Sequence, residues 1–165
     1  MKRVIASFVG VTACLAMAAG PAAAGPEEDL VTGTGQGVFA TDFGAFSSEA
    51  HVNAQGGPTD AHGHAWARFF DSPIGDLLIK GSVFCVDAQG NQATVGLLVE
   101  QSNAVVVPVG SRVIRKVVDN GAGANDPPDE TGTTTAFQSP VCPPAATPIP
   151  TGPVEQGNFV VMDAG

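Results

Sequence analysis

Residues 81–99 read GSVFCVDAQGNQATVGLLV, two apolar runs on either side of Gly90 and Asn91. In the second run every other residue is apolar: Ala93, Val95, Leu97 and Val99. A period of two places such residues on one face of a strand. Gly and Asn tolerate the left-handed backbone that a tight reversal needs. The stretch therefore predicts a β-hairpin, with the reversal between residues 87 and 91.

The same period of two recurs in the rest of the chain. Gly and Pro are frequent between the apolar runs, and no ten-residue helical stripe follows the N-terminal segment. Further strands are predicted at 43–52, 61–70, 77–86, 105–107, 112–118, 133–137 and 159–162. Short strands about ten residues apart predict an all-β domain, an antiparallel sandwich or barrel of about eight strands. The Pro-rich segment 140–153 is expected to be an extended connector that delivers the last strand.

The first 24 residues have the composition of a secretory signal peptide. Lys2 and Arg3 precede an apolar run over 4–19, and three small residues, 22–24, stand before Gly25. This order of charge, apolar core and small-residue cleavage site is the signature of export. A single exported domain is therefore expected at 25–165. No membrane span is expected, because a spanning helix needs about 20 strongly apolar residues.

A second processing route is open. Residues 11–14, VTAC, resemble a lipobox, in which Cys14 would be lipidated and become the N-terminus. The apolar sequence continues beyond Cys14, which favours ordinary cleavage after residue 24. The expected location is therefore extracellular, with a lipid anchor through Cys14 as the alternative.

The net charge expected after removal of the leader restricts the classes of partner that the protein can bind. Without Lys2 and Arg3, five of the seven basic residues remain against 16 acidic ones, a formal charge of −11. Such a surface repels phosphate backbones, so nucleic acid is not an expected partner. An extracellular or cell-envelope ligand is expected instead.

Two cysteines, Cys85 and Cys142, remain after removal of the leader. Export places them in an oxidising compartment, where a pair of cysteines usually forms a disulfide. The alternatives are two free thiols or a nucleophilic Cys85. Cys85 stands in the apolar run Val83–Val86, where a buried thiol is inert. A Cys85–Cys142 disulfide is therefore predicted.

The histidines offer a candidate metal site. Residues 60–70 read DAHGHAWARFF, so His62 and His64 share one strand face with Trp66 and Arg68. Two imidazoles at i and i+2 can chelate one ion such as zinc, as in cupin-like barrel enzymes, and His51 or Glu49 of the preceding strand could supply a third ligand. The alternative is a solvated strand with small residues facing inward. The cupin pattern also needs a glutamate soon after the second histidine, and this chain has none there.

An acidic loop, VVDNGAGANDPPDE over 117–130, offers oxygen ligands of the kind calcium prefers. The order of its residues does not match an EF-hand loop, and a polar turn explains the same composition. The candidate calcium ligands are Asp119, Asn120, Asp126 and Asp129.

Standard catalytic signatures are missing from the sequence, which contains no GxSxG elbow, phosphate-binding glycine loop, HExxH or CxxC. The expected function is therefore a non-enzymatic one, binding at a surface or of a ligand, without a cofactor. The alternative is a metal-dependent barrel enzyme that uses the histidines. Calcium or zinc is the cation to be expected if one binds.

Three stretches, residues 81–99, the acidic loop and GNFVVMDA at 157–164, resemble a group of small exported bacterial domains, often from actinobacteria. The resemblance covers about residues 33–163 and implies an exported all-β domain. The group has no assigned activity, so no function follows from it. All matching residues are of the turn type: Gly90, Asn91, Asp119, Asn120, Gly121, Pro127, Pro128, Asp129, Gly157 and Asn158.

Overall fold

The computed structural model describes residues 28–165 apart from 71, 73–74, 122, 124 and 136–138. The predicted signal peptide and Cys14 lie outside the described residues. In the part of the chain that the structure does describe, no helix is long and apolar enough to cross a membrane. Within these ranges the regular elements are eight strands: β1 Asp29–Thr41, β2 Gly44–Gly56, β3 Ala61–Phe69, β4 Leu77–Gln89, β5 Gln92–Ser102, β6 Arg112–Val118, β7 Glu130–Thr134 and β8 Gly152–Met162.

The eight strands form a closed barrel. Each strand pairs antiparallel with the next, and β8 returns to pair antiparallel with β1, where Val161 lies opposite Val31. The predicted all-β antiparallel fold is confirmed, and of the two predicted architectures the chain adopts the barrel. An eight-stranded barrel has an interior just wide enough to be filled by side chains or to hold one small ligand.

The hairpin predicted from residues 81–99 joins β4 to β5. Gln89 pairs with Gln92 across the turn, and Gly90 adopts a φ of 61°. Ala93, Val95 and Leu97 are buried, as their alternation predicts. Because strand order follows chain order throughout, this hairpin is the repeating unit of the barrel.

Strand β1 was not among the predicted strands. Its inward positions include Gly33, Gly35 and Gly37 rather than large apolar residues, so the alternation is weak in the sequence. The space above Gly35 is filled from β8, since a Cβ atom there would lie 2.8 Å from the ring of Phe159. Apolar side chains of one strand thus cover the glycines of its neighbour, a pairing that only the closed barrel brings about.

Three strand predictions need correction. Residues 105–107 are not a strand but part of the β5–β6 loop, where Val107 N–H donates to the carbonyl of Ala104. The strand predicted at 133–137 begins earlier, at Glu130, and ends at Thr134, with 136 and 137 outside the described residues. The last strand begins at Gly152 rather than Phe159. At β7 and β8, polar residues or a proline obscure the period of two where the strand begins, whereas at 105–107 three apolar residues form a turn instead of a strand.

The barrel has two ends, which we name by the loops that form them. The mouth carries the β1–β2, β3–β4 and β5–β6 connections, and the base carries the β2–β3, β4–β5 and β6–β7 connections. One buried apolar cluster, including Val31, Val95 and Phe159, fills the base. A second, including Phe69 and Val113, lies toward the mouth.

The Pro-rich segment before β8 packs on the outer wall of the barrel. Cys85 on β4 and Cys142 form a disulfide, with an S–S distance of 2.08 Å, which confirms the predicted pair. The Thr94 hydroxyl donates to the Pro143 carbonyl at 2.5 Å, and Ala145 N–H donates to Asp87 at 2.5 Å. The segment is thus held against β4 and β5 by one covalent and two polar contacts.

Candidate functional site

An apolar depression lies at the mouth of the barrel. Its volume is about 230 Å³, and its lining is almost wholly apolar carbon with four hydroxyl side chains. Concave apolar sites with a few polar groups are the usual form of small-molecule sites. The described residues that line it, none of them charged, are Thr41, Phe43, Phe46, Phe69, Ser72, Leu77, Ile79, Val106, Val107, Thr133 and Thr135.

The walls of this mouth cavity come from several strand ends, because a barrel brings alternate loops to the same end. Phe46 of β2 and Phe69 of β3 meet edge to face, with ring centroids 6.5 Å apart. Ile79 of β4 and Val107 of the β5–β6 loop belong to the buried cluster beneath the opening. The aromatic pair gives the cavity a fixed, well-packed wall.

At the mouth, the end of β7 is hydrogen-bonded to the β1–β2 turn. One oxygen of Asp42 accepts the Thr134 hydroxyl at 2.8 Å and the Thr135 N–H at 2.5 Å. Here β1 also pairs in parallel with β7, Thr41 opposite Thr133. β8 begins only at Gly152 and does not reach the mouth, so β1 and β7 pair directly there and complete the barrel wall.

Apolar side chains are exposed around the mouth. Phe43 of the β1–β2 turn is 57% exposed, and Val105, Val106 and Val109 of the β5–β6 loop are 91%, 49% and 63% exposed. Exposed apolar side chains scattered singly are normal, but several at one rim mark a contact or binding region. The surface that leads into the mouth cavity is thus itself apolar.

A buried arginine lies inside the barrel beneath this cavity. Arg115 is 2% exposed and stands on β6 between the buried Val113 and Val117, with which it shares the inward face. It pairs with Thr133 of β7, whose side chain lines the cavity. Side chains at opposed positions of an antiparallel pair lie about 5 Å apart at Cβ. The Cβ atom of Arg115 is therefore close to that of a cavity-lining residue, and the guanidinium extends to Thr131, on the base side of Thr133.

The guanidinium of Arg115 is poorly satisfied. Its Nη1 donates to the Thr131 hydroxyl at 3.3 Å, and its Nε has no hydrogen-bond partner among the described residues. The ion pair formed by those residues is Arg68–Asp76 on the outer wall, so no described carboxylate lies within 4 Å of Arg115. Burial lowers the pKa of Arg115 to about 10, which still leaves it charged near neutral pH.

Burying a charge without a counter-charge is costly, and native structures rarely retain an unsatisfied group without a reason. Arg115 was not among the predicted site residues. The signal was present, because the alternation that places Val113 and Val117 inside the barrel also places Arg115 there. A basic residue amid inward valines is the feature that would have identified it.

The neighbouring Lys116 is also buried, but unlike Arg115 its charged group has hydrogen-bond partners. It points outward from β6 beneath the Pro-rich segment, and its Nζ donates to Gln92 at 2.8 Å and to the carbonyl of Ala145. Burial lowers the pKa of Lys116, while Asp87 opposes the shift. Lys116 therefore has a structural role, holding the segment to the wall.

The histidines predicted as zinc ligands lie on the outer wall. His51 and His64 stack with ring centroids 5.2 Å apart, whereas His62 lies opposite Gln55, at the base end of β3. Among the described residues no group of three or more His, Cys, Asp or Glu is placed to hold a metal ion. Zinc binding stays a prediction, and the structure brings two of its three histidines together.

The face on which these histidines lie is otherwise aromatic and polar. His51 also stacks on its cross-strand partner Trp66, with centroids 6.2 Å apart. Partial burial and the nearby His64 lower the pKa of His51. Glu49, the other candidate third ligand, accepts a hydrogen bond from Gln36 at 2.9 Å. The inward face of β3 carries Ala65 and Ala67, as predicted.

The predicted calcium ligands bind backbone N–H groups near the base. Asp129 accepts from Asn120 N–H at 2.9 Å and from Phe159 N–H at 2.7 Å. Asp119 accepts from the N–H groups of Gly121 and Val161, and Asp126 accepts from that of Gly123. The Asn120 side chain donates to the Pro128 carbonyl. These bonds connect the loop to itself and to β8, and calcium binding stays a prediction.

No protein family model, curated protein or solved structure matches this chain. The resemblance to small exported actinobacterial domains accordingly stays a prediction. A barrel does not by itself indicate a function, so function has to be argued from the mouth and the buried arginine.

Proposed function

We propose that this chain is an exported, non-enzymatic binding protein that takes one small apolar molecule into the mouth of its barrel. The observation that carries the proposal is the apolar mouth cavity of about 230 Å³. Strand ends form part of its walls, including the aromatic pair of Phe46 and Phe69, and residues of the adjoining loops form the rest. Transfer of an apolar molecule from water into such a site is favoured by about 25 cal/mol for each Å² of apolar surface buried.

The volume of the cavity sets the size of the ligand. It exceeds the roughly 150 Å³ of a cavity that holds benzene. It lies below the roughly 300–1,000 Å³ of sites for drug-sized molecules. A monocyclic or short-chain molecule, such as an eight-carbon chain, fits between these limits. The apolar rim at Phe43 and Val106 would let such a ligand enter without crossing a polar barrier.

Export is supported by chemistry that suits an oxidising compartment. A disulfide between Cys85 and Cys142 is stable outside the cytosol and rare within it. The acidic chain disfavours nucleic acid and keeps the protein soluble. We propose that the protein acts in the extracellular space or at the cell envelope, with a lipid anchor through Cys14 as the alternative form.

The test is a titration of ¹⁵N-labelled protein with 1-octanol, followed by amide chemical shifts. Shifts are expected at residues that line the mouth cavity, such as Leu77 and Thr133. Val106→Trp should fill the cavity and abolish them. Val105→Trp is the matched control, because Val105 is on the same loop, is 91% exposed and does not line the cavity. Absence of shifts in the unaltered protein, or equal loss in both variants, would refute the proposal.

A further inference from the structure

The interior of the barrel contains a positive charge without a negative one. Arg115 is 98% buried, none of the described residues lining the mouth cavity is charged, and no described carboxylate pairs with the guanidinium. Arg112 and Lys116 alternate with Arg115 on β6 and therefore point to the other face. An anion that entered through the mouth would thus meet one unpaired cation and no repelling carboxylate among these residues.

The free part of the guanidinium suits a planar anion. Nε and Nη2 form one edge of the group, and Nη1 points away from it. Nη1 is the atom that donates to Thr131, while Nε has no partner among the described residues. A carboxylate docks on such an edge through two parallel N–H···O bonds, which are about twice as strong as neutral hydrogen bonds.

The position of Arg115 relative to the cavity gives the anion a route. Thr133 is at once part of the cavity lining and the β7 partner of Arg115. A ligand with its apolar part between Phe46 and Ile79 would direct its far end past Thr133. The guanidinium lies on the base side of Thr133, where its Nη1 donates to Thr131, so that end would meet it after passing Thr133. The Thr133 hydroxyl could donate a further hydrogen bond to the same end.

We propose that Arg115 receives the carboxylate of the ligand, so that the molecule bound in the mouth is a small apolar monocarboxylate. This inference rests on the proposed function, since it assigns the head group of the same ligand. A single guanidinium balances a single charge. A phosphate ester, with nearly two negative charges near neutral pH, would be left partly unbalanced in the barrel. The singly charged carboxylate is therefore the favoured head group.

Calorimetric titrations of octanoate and 1-octanol, at a pH near 7 where the acid is ionised, test this inference. The unaltered protein should bind octanoate at least about tenfold more tightly, as charge-assisted hydrogen bonds predict. Arg115→Met should remove this preference, because the octanoate affinity should fall by at least about tenfold more than the octanol affinity. Arg68→Met removes an equal charge from the exposed outer wall and should keep the preference.

The outcomes separate the two proposals. Octanol binding without a preference for octanoate in the unaltered protein would overturn the role of Arg115 and leave the apolar site standing. If Arg115→Met still binds octanoate more tightly than octanol, the role of Arg115 would also be refuted, because another group would then bind the carboxylate. Failure of both ligands to bind the unaltered protein would refute the apolar site itself. Amide spectra of Arg115→Met that keep the dispersion of the unaltered protein exclude unfolding as the cause.

Discussion

Replacement of Arg115 by methionine is expected to stabilise the ligand-free protein by roughly 2 kcal/mol. The expectation runs against the rule that core substitutions destabilise. It follows because the residue removed is a buried charge with one hydrogen bond and no ion-pair partner among the described residues. Methionine is similar in length and flexible enough to fill the space that the arginine leaves.

The magnitude follows from two terms. The pKa of Arg115 falls to about 10 through burial. Each unit below the ordinary value of about 12.5 represents about 1.4 kcal/mol, so burial costs the charged form roughly 3 kcal/mol. Against this, the variant loses the hydrogen bond to Thr131, worth about 1 kcal/mol. The Thr131 hydroxyl keeps its bond to the Lys116 carbonyl at 2.8 Å, so no new unsatisfied group is created.

Equilibrium unfolding in urea, followed by the fluorescence of Trp66, measures this change. For a slope of about 2 kcal/mol/M, the midpoint should rise by about 1 M with the slope unchanged. Arg68→Met is the control and should change stability by less than about 0.5 kcal/mol, because exposed ion pairs contribute little. A fall in stability of 1 kcal/mol or more in Arg115→Met would refute the reasoning, since the guanidinium would then be a net source of stability.

Reduction of the disulfide should lower the free energy of unfolding by about 4 kcal/mol on the chain-entropy model for its 57-residue separation, measured by urea unfolding with and without dithiothreitol. Burial and the neighbouring imidazole of His64 lower the pKa of His51, which stacks on Trp66. Protonation of His51 should therefore quench the fluorescence of Trp66 in a pH titration, with a midpoint below about pH 6.5. His51→Asn should abolish this transition, and His62→Asn should leave it in place. Asp129→Asn should lower the free energy of unfolding by about 1–3 kcal/mol, because one backbone N–H loses its acceptor, and the loss should be equal in EDTA and in millimolar calcium. Asp126→Asn, at an exposed position, should have a smaller effect. A loss of stability seen only in calcium would show that Asp129 binds the ion.

The strands that were predicted correctly are those whose period of two is uninterrupted. β6 was predicted at its observed bounds, because Val113 and Val117 mark its inner face and Pro and Gly residues stand beyond its ends. β1 was missed because the barrel needs small residues on that strand where Phe159 of β8 packs against it. Such a requirement depends on a partner more than a hundred residues away and leaves no local pattern.

The candidate site was harder to predict than the fold. Sequence motifs pointed to His62 and Asp119, side chains that the structure places on the outer wall and in a hydrogen-bonded loop near the base. The mouth cavity is formed by ends of strands and loops distant in the chain, such as Phe46, Val107 and Thr133. No spacing rule connects these residues. Arg115 could have been found, because inward alternation on β6 is a local property.

The two ends of the barrel differ in a way that bears on the proposed function. At the base, carboxylates bind backbone N–H groups of neighbouring segments: Asp29 accepts from Ala88 and Ala164, and Asp163 accepts from Gly90. These bonds connect the start of β1 and the residues after β8 with each other and with the β4–β5 hairpin. The mouth instead presents apolar side chains around a cavity. A ligand would therefore enter at the mouth.

The energetic cost of such a site has to be offset elsewhere in the structure. An apolar cavity forgoes packing, and Arg115 adds roughly 3 kcal/mol of desolvation. The Cys85–Cys142 disulfide contributes an opposing term of about 4 kcal/mol, and it lies on the outer wall, away from the mouth cavity. With the stabilisation from this disulfide, the barrel can remain folded although its interior contains a destabilising cation. Because that cation is expected to destabilise the ligand-free protein, its place inside the barrel supports the proposal that it binds the carboxylate of a ligand.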